Sequence, residues 1–111
     1  MNSNSEIRYI IRFTGGVSNM YLIPKSNYYS NYINKHFSFN YNSACTYKSI
    51  KNAFHRINKL KFDNFNEFEI VQVRVCRNPK NLSQKFTFIG KSFNYRDVKI
   101  SLILNKLKDI F

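Results

Sequence analysis

Residues 46–60 read TYKSIKNAFHRINKL, and their reading decides the fold. Ile50, Ala53, Phe54, Ile57 and Leu60 recur at the i, i+3, i+4, i+7 spacing of one helical face, with Tyr47 at its edge. Thr46 or Ser43 is placed to cap the start by accepting an orphan backbone N–H. At 100° per residue Lys48, Lys51, Asn52, His55 and Lys59 fall on the opposite face, with Arg56 at its flank. The segment is therefore expected to be a helix that packs by its aliphatic side and presents a basic ridge outward.

Strand patterns flank this helix. Ile7, Tyr9, Ile11 and Phe13 alternate with Glu6, Arg8, Ile10 and Arg12, a period of two rich in β-branched and aromatic residues. Gly15-Gly16 permits a reversal, and Met20 to Ile23 reads as a second, short strand ended by Pro24. Downstream, Phe68 to Cys76 places Val71, Val73 and Val75 on one face and Ile70, Gln72, Arg74 and Cys76 on the other. Asn78-Pro79 stops it, and Lys85 to Ile89 reads as the next strand, with Gly90 as a bend or bulge. From Asp97 to Phe111, Ile100, Ile103, Leu104, Leu107 and Ile110 have helical spacing, with Asp97 in the first turn and Lys106 and Lys108 in the last turns; a strand through Val98, Ile100, Leu102 and Leu104 competes with this helix. Residues 25–43 interleave Ser, Asn and Tyr and read as a loop, with room for a short strand near 37–41.

The expected fold is therefore α+β: a mainly antiparallel sheet of about four strands with two helices on one face, in the order ββαββα. The chain of 111 residues makes one domain over residues 6–111, after a flexible, small and polar stretch over 1–5.

The charge narrows the function. Lys plus Arg number 18 against 6 Asp plus Glu, a formal net charge of +12, and no acid occurs from Ile7 to Phe62 or from Ile70 to Arg96. Asn, Lys, Ile, Phe and Tyr together exceed half the residues, a bias that A/T-rich codons also produce, but the scarcity of acids goes further than such drift. So large an excess points to a polyanionic partner, with RNA favoured, either free or within a ribonucleoprotein. Lys48, Lys51, Arg56 and Lys59 are candidate phosphate contacts on the helix; Arg74, Arg77 and Lys85, with Lys80 and Lys91, form a second basic group around a turn. Tyr28, Tyr29 and Tyr32, and with them Tyr41, are candidate stackers on unpaired bases. Each group has a plainer alternative: a solvated helix face, a charged edge strand, and codon bias.

Other classes find little support. No apolar run approaches the length of a membrane span, so no membrane partner is expected, and the start lacks the charged-then-apolar pattern of a secretory signal. With only Cys45 and Cys76, a reduced cytoplasmic protein is expected. His36, Cys45, His55 and Cys76 lack metal-ligand spacing, and Gly15-Gly16 is not followed by a phosphate-cradle motif, so neither metal nor cofactor is expected. No catalytic residue is assigned; the enzyme reading that survives is a metal-independent endoribonuclease toxin with His36 and His55 as base and acid and Arg74 or Arg77 stabilising the phosphorane. A structural RNA-binding component of a ribosome-like particle is the other alternative.

One resemblance adds to this. Tyr9-Ile10-Ile11-Arg12-Phe13, Met20-Tyr21-Leu22, the stretch from Ser43 to Ala53 and Phe68-Glu69-Ile70-Val71-Gln72-Val73 together resemble a pattern common in small phage and mobile-element accessory proteins, over roughly residues 7–76. Such proteins include host-takeover factors and anti-CRISPR inhibitors. The resemblance implies a non-catalytic inhibitor working in the host cytosol. Its positive charge excludes mimicry of DNA, so it would engage guide RNA, bound nucleic acid or an acidic patch of the effector.

Overall fold

The computed structural model describes residues 5–24, 36–60, 65–77 and 84–110. Five strands form one antiparallel sheet in the order β3-β2-β1-β4-β5. They are β1 (Ser5–Phe13), β2 (Met20–Leu22), β3 (Phe37–Ser38), β4 (Phe68–Arg77) and β5 (Gln84–Asn94). Two helices complete the fold, α1 (Ile50–Lys59) and α2 (Tyr95–Ile110). The α+β class and its two helices stand; the four-strand count and the ββαββα order are corrected by β3, which pairs Leu22 with Phe37 and Tyr21 with Ser38. This strand lies where the sequence leaves room for one near 37–41, and its two residues are too few to show a period of their own.

The long central pair β1–β4 carries the register, from Ser5↔Cys76 to Phe13↔Phe68. Since side chains alternate, this register sends Tyr9, Ile11, Phe13, Phe68 and Ile70 to one face and Ile10, Val71, Val73 and Val75 to the other. On the first face the sheet packs under Ala53, Phe54, Ile57 and Leu60 of the α1 region and Tyr95 and Val98 of α2. On the second, Ile10, Tyr21, Val71, Val73, Val75 and Phe86 form a smaller core with Ala44. That face is concave. The rings of Tyr21 and Phe88 are 6.2 Å apart, although β1 and β4 lie between their strands, a span of roughly 14 Å in a flat sheet. A bulge in β5 accompanies the curl: Val73 pairs with Phe88 and Val71 with Ser92, so Ile89, Gly90 and Lys91 oppose Gln72 alone. Gly90 has φ +88 there, a backbone angle that glycine adopts without strain. The strand continues through this glycine to Asn94 and does not end at it.

The first helix begins at Ile50, where its apolar pattern begins, and not at Thr46. Tyr47 pairs with Tyr9 through both backbone hydrogen bonds, 2.9 and 2.8 Å, on the edge of β1 that β2 leaves open. This holds the chain extended up to Ser49, whose side chain accepts from Asn52 N at 3.1 Å and caps the helix in place of Thr46 or Ser43. Such a cap contributes about 1 kcal/mol.

The second helix corrects the sequence more deeply. It follows β5 without a linker, and Asn94 Oδ1 accepts from Asp97 N at 2.9 Å as the helix begins. Tyr95 and Val98 are buried and Leu102 half-buried against the sheet and α1, with the Tyr95 ring stacked on Phe54 at 4.9 Å. Ile100, Ile103 and Leu104, expected to face the core, are 47%, 49% and 52% exposed. Among the described residues no helix is long and apolar enough to cross a membrane.

Candidate nucleic-acid interface

The helix side of the molecule carries a group of exposed cations. Lys51 and Lys59 stand exposed on α1, and Lys48 is exposed just before it. Their order follows from the burial of Ala53, Phe54 and Ile57, which turns residues 51, 55 and 59 outward. Arg56 does not join this ridge. It is half-buried and lies beside the Tyr47 phenol.

Two clefts flank the place where α2 passes α1. The inner cleft, about 510 Å³, lies between α1, α2 and the sheet; Lys48 and Lys51 stand at it, Tyr9 and Phe93 wall it from the sheet, and Asp97 and Ser101 from α2. The outer cleft, about 750 Å³, lies between the helices and is lined by Lys51, His55, Lys99 and the Phe54–Tyr95 ring pair. Lys51 borders both.

Tyr9 joins the inner cleft to the rest of the sheet. Beyond it on the same face the register places the row Ile7, Arg74 and Thr87, then Cys76 and Lys85, all exposed where the helices stop covering the sheet. Arg74 and Lys85 therefore share the helix-side surface with Lys48 and Lys51. Arg77 ends β4 opposite Gln84, and its side chain lies outside the described residues, as do Lys80 and the candidate stackers Tyr28, Tyr29 and Tyr32. Tyr41, considered with them, packs its ring 5.0 Å from Phe88 and 6.1 Å from Tyr21 on the concave face, away from the helices.

Two of the acids, Glu6 and Glu69, are placed on the other face. Glu6 pairs with Arg8 at 3.0 Å and Glu69 with Arg12 at 3.1 Å, both on the concave side of the sheet. Glu67 accepts through its backbone carbonyl from Thr14 N and Thr14 Oγ1 at 2.8 and 3.0 Å at the β1–β2 turn. Among the described residues no ion pair involves Lys48, Lys51, Lys59, Arg74, Lys85 or Lys99. Asp97 is the carboxylate found in the clefts. Lys99 and Asp97 were not singled out as site residues by sequence, because the apolar stripe of α2 assigned its faces the wrong way round.

The two histidines part company. His36 is 3% exposed, and its carbonyl accepts from Ile23 N at 2.9 Å beside β3. His55 is exposed at the outer cleft. Neither cleft contains His36. Cys45, half-buried, and Cys76, exposed, are free thiols, and no three of His, Cys, Asp and Glu converge among the described residues.

One buried group makes stability depend on pH. Burial pushes the Tyr47 phenol well above its ordinary value of 10.0, with Cys45 acting in the same direction and Arg56 against it. The folded protein thus holds this proton more tightly than the unfolded chain does. The stability linked to it is intact below the unfolded value and is lost as pH rises above it. Between about pH 9 and 11, around the unperturbed tyrosine value, the melting temperature of the wild type is expected to fall faster than that of Tyr47→Phe. Burial also raises Tyr95, and its contribution is common to both proteins. Parallel curves would show that the Tyr47 phenol titrates normally.

Compared with known protein families, characterised proteins and solved structures, the chain matches none. Fold and surface together define a small α+β protein with a cation-rich helix side.

Proposed function

We propose that the protein is a non-catalytic, basic binding protein that contacts nucleic acid, RNA in the first place, alone or within a ribonucleoprotein. The observation that carries this reading is the segregation of charge: Lys48, Lys51, Lys59, Arg74, Lys85 and Lys99 stand on the helix side without an ion pair among the described residues, while Glu6 and Glu69 are engaged by arginines on the opposite face. Lysines in an ordinary surface helix gain from acids one turn away; here α1 has none. A surface built this way releases condensed counterions from a phosphate backbone when it binds. The resemblance to mobile-element accessory proteins supplies the setting, an anti-CRISPR-like inhibitor that occupies the nucleic acid of a host defence complex.

The ribonuclease alternative needs a base and an acid within reach of one phosphate. A core His36 and an exposed His55 that share neither cleft argue for binding over cleavage.

The test is equilibrium binding of the purified protein to labelled single-stranded RNA, duplex RNA and duplex DNA across a salt series. Affinity is expected to fall linearly in log–log form, with a slope that counts the phosphates engaged. Absence of binding at ~50 mM salt, where non-specific attraction is strong, would overturn the reading and redirect it to an acidic protein surface.

A further inference from the structure

We infer that the inner cleft takes the base of an unpaired nucleotide, so that the preferred ligand is a single strand and not a duplex. This rests on the nucleic-acid reading above and adds to it a site and a form of ligand.

The cleft has two chemically different parts. Its walls are apolar and partly aromatic: Tyr9 and Phe93 rise from β1 and β5, and Ile50, Val98 and Leu102 close the sides. Its positive charge lies with Lys48 and Lys51, which carry no ion pair among the described residues. A volume of about 510 Å³ is of the size that small ligands occupy. A phosphate alone would use the lysines and leave the apolar walls wet; an aliphatic ligand would use the walls and leave the charge unanswered. A nucleotide answers both, with a flat base in the cleft and its phosphates on Lys48 and Lys51. A base in a duplex is stacked and paired and cannot enter without being unpaired. A duplex therefore meets the lysine ridge only, whereas a single strand meets ridge and cleft. The outer cleft, with Lys51 in common, Lys99 at its margin and the Phe54–Tyr95 pair as a wall, extends the path for the next nucleotide.

Asp97 gives this inference a distinctive signature. A carboxylate inside a phosphate-binding cleft repels the ligand, and Asp97 is exposed there. Asp97→Asn should bind the single strand several-fold more tightly, a gain that no loss of structure produces. Ser101, one helical turn on and exposed in the same cleft, is the position for an obstruction. Ser101→Leu fills space without altering charge, and it should weaken single-strand binding by about five-fold or more, the low end of what one stacked base contributes.

The experiment measures fluorescence anisotropy of a fluorescein-labelled short single-stranded RNA, and of the duplex it forms with its complement, for the wild type and both variants at ~50 mM salt. The expected result is tighter binding of the strand than of the duplex. The effects of Ser101→Leu and Asp97→Asn should fall mainly on the strand, in opposite directions, with melting curves showing both variants folded. Equal changes for strand and duplex, or no change for either, would overturn the cleft while leaving the nucleic-acid reading in place. Failure of the wild type to bind either probe would instead overturn that reading itself.

Discussion

Replacing Lys48, Lys51 and Lys59 together with glutamate is expected to weaken RNA binding by about 100-fold or more at ~50 mM salt, and to lower the slope of log affinity against log salt by roughly 2–3. The slope is the sharper readout. Each phosphate neutralised contributes about 0.9 to it on a duplex and about 0.7 on a single strand, so three lost contacts are counted directly. Reversal, unlike removal, also adds repulsion, which is why the loss of affinity exceeds that of three neutral substitutions. The fold should survive. All three side chains are exposed, and α1 is held down by Ala53, Phe54 and Ile57. The substitutions at Lys48 and Lys51 put negative charge at the helix start, where it is favoured. This offsets the cost of the substitution at Lys59 near the helix end, each effect being about 0.3–1 kcal/mol. The circular dichroism spectrum should therefore match the wild type, and the triple lysine-to-arginine variant should retain binding. Unchanged affinity and slope in a folded triple-glutamate variant would remove α1 from the interface and leave Arg74 and Lys85 as its centre.

The part of this interface that was legible in the sequence is the part governed by period. The α1 ridge follows from where Ala53, Phe54 and Ile57 must go, and the faces of β1 and β4 follow from strict alternation, so Arg74 falls on the same side as Tyr9 and Ile11. What was hidden depends on junctions. Arg56 sits at the ridge flank by angle, but Tyr47, held to Tyr9 by two backbone bonds, lies beside it and draws it inward. The cap moved from Thr46 to Ser49 for the same reason.

In α2 two apolar stripes compete. The stripe through Ile100, Ile103 and Leu104 is the stronger by residue type, yet Tyr95, Val98 and Leu102 face the core because the helix leaves β5 directly after Asn94, and that exit fixes its rotation. The inner cleft was invisible for a related reason: Tyr9, Lys51, Phe93 and Asp97 come from four separate elements, and only the packing of α2 across α1 brings them together. The exposure of His55 was legible from the period of α1, whereas the burial of His36 is a tertiary matter, since a lone histidine outside a periodic segment carries no such signal.

Phe68→Ala is the substitution expected to cost most stability. Phe68 is fully buried at the start of β4, with its ring 5.4 Å from Phe13 and 5.7 Å from Phe37. It thereby ties the central pair to β3, whose Phe37 ring also lies 6.0 Å from that of Phe13. Deleting a buried Phe side chain costs about 3–5 kcal/mol through lost transfer energy and the cavity left behind. Against a total of about 5–15 kcal/mol for a domain, that lowers the melting temperature by roughly 15 °C or more or abolishes folding. Ile103→Lys is the matching control. Its side chain is half-exposed on α2, so the change should fall within about 0.5 kcal/mol, although the sequence pattern alone places Ile103 in the core. Urea melts of the two variants separate the possibilities. A large loss with Phe68→Ala and almost none with Ile103→Lys fits a core centred on the three rings and an α2 whose outer stripe faces solvent. Comparable losses in both would mean that Ile103 is covered, and α2 would then have to be rotated, closing the clefts to which Lys51, Asp97 and Lys99 contribute.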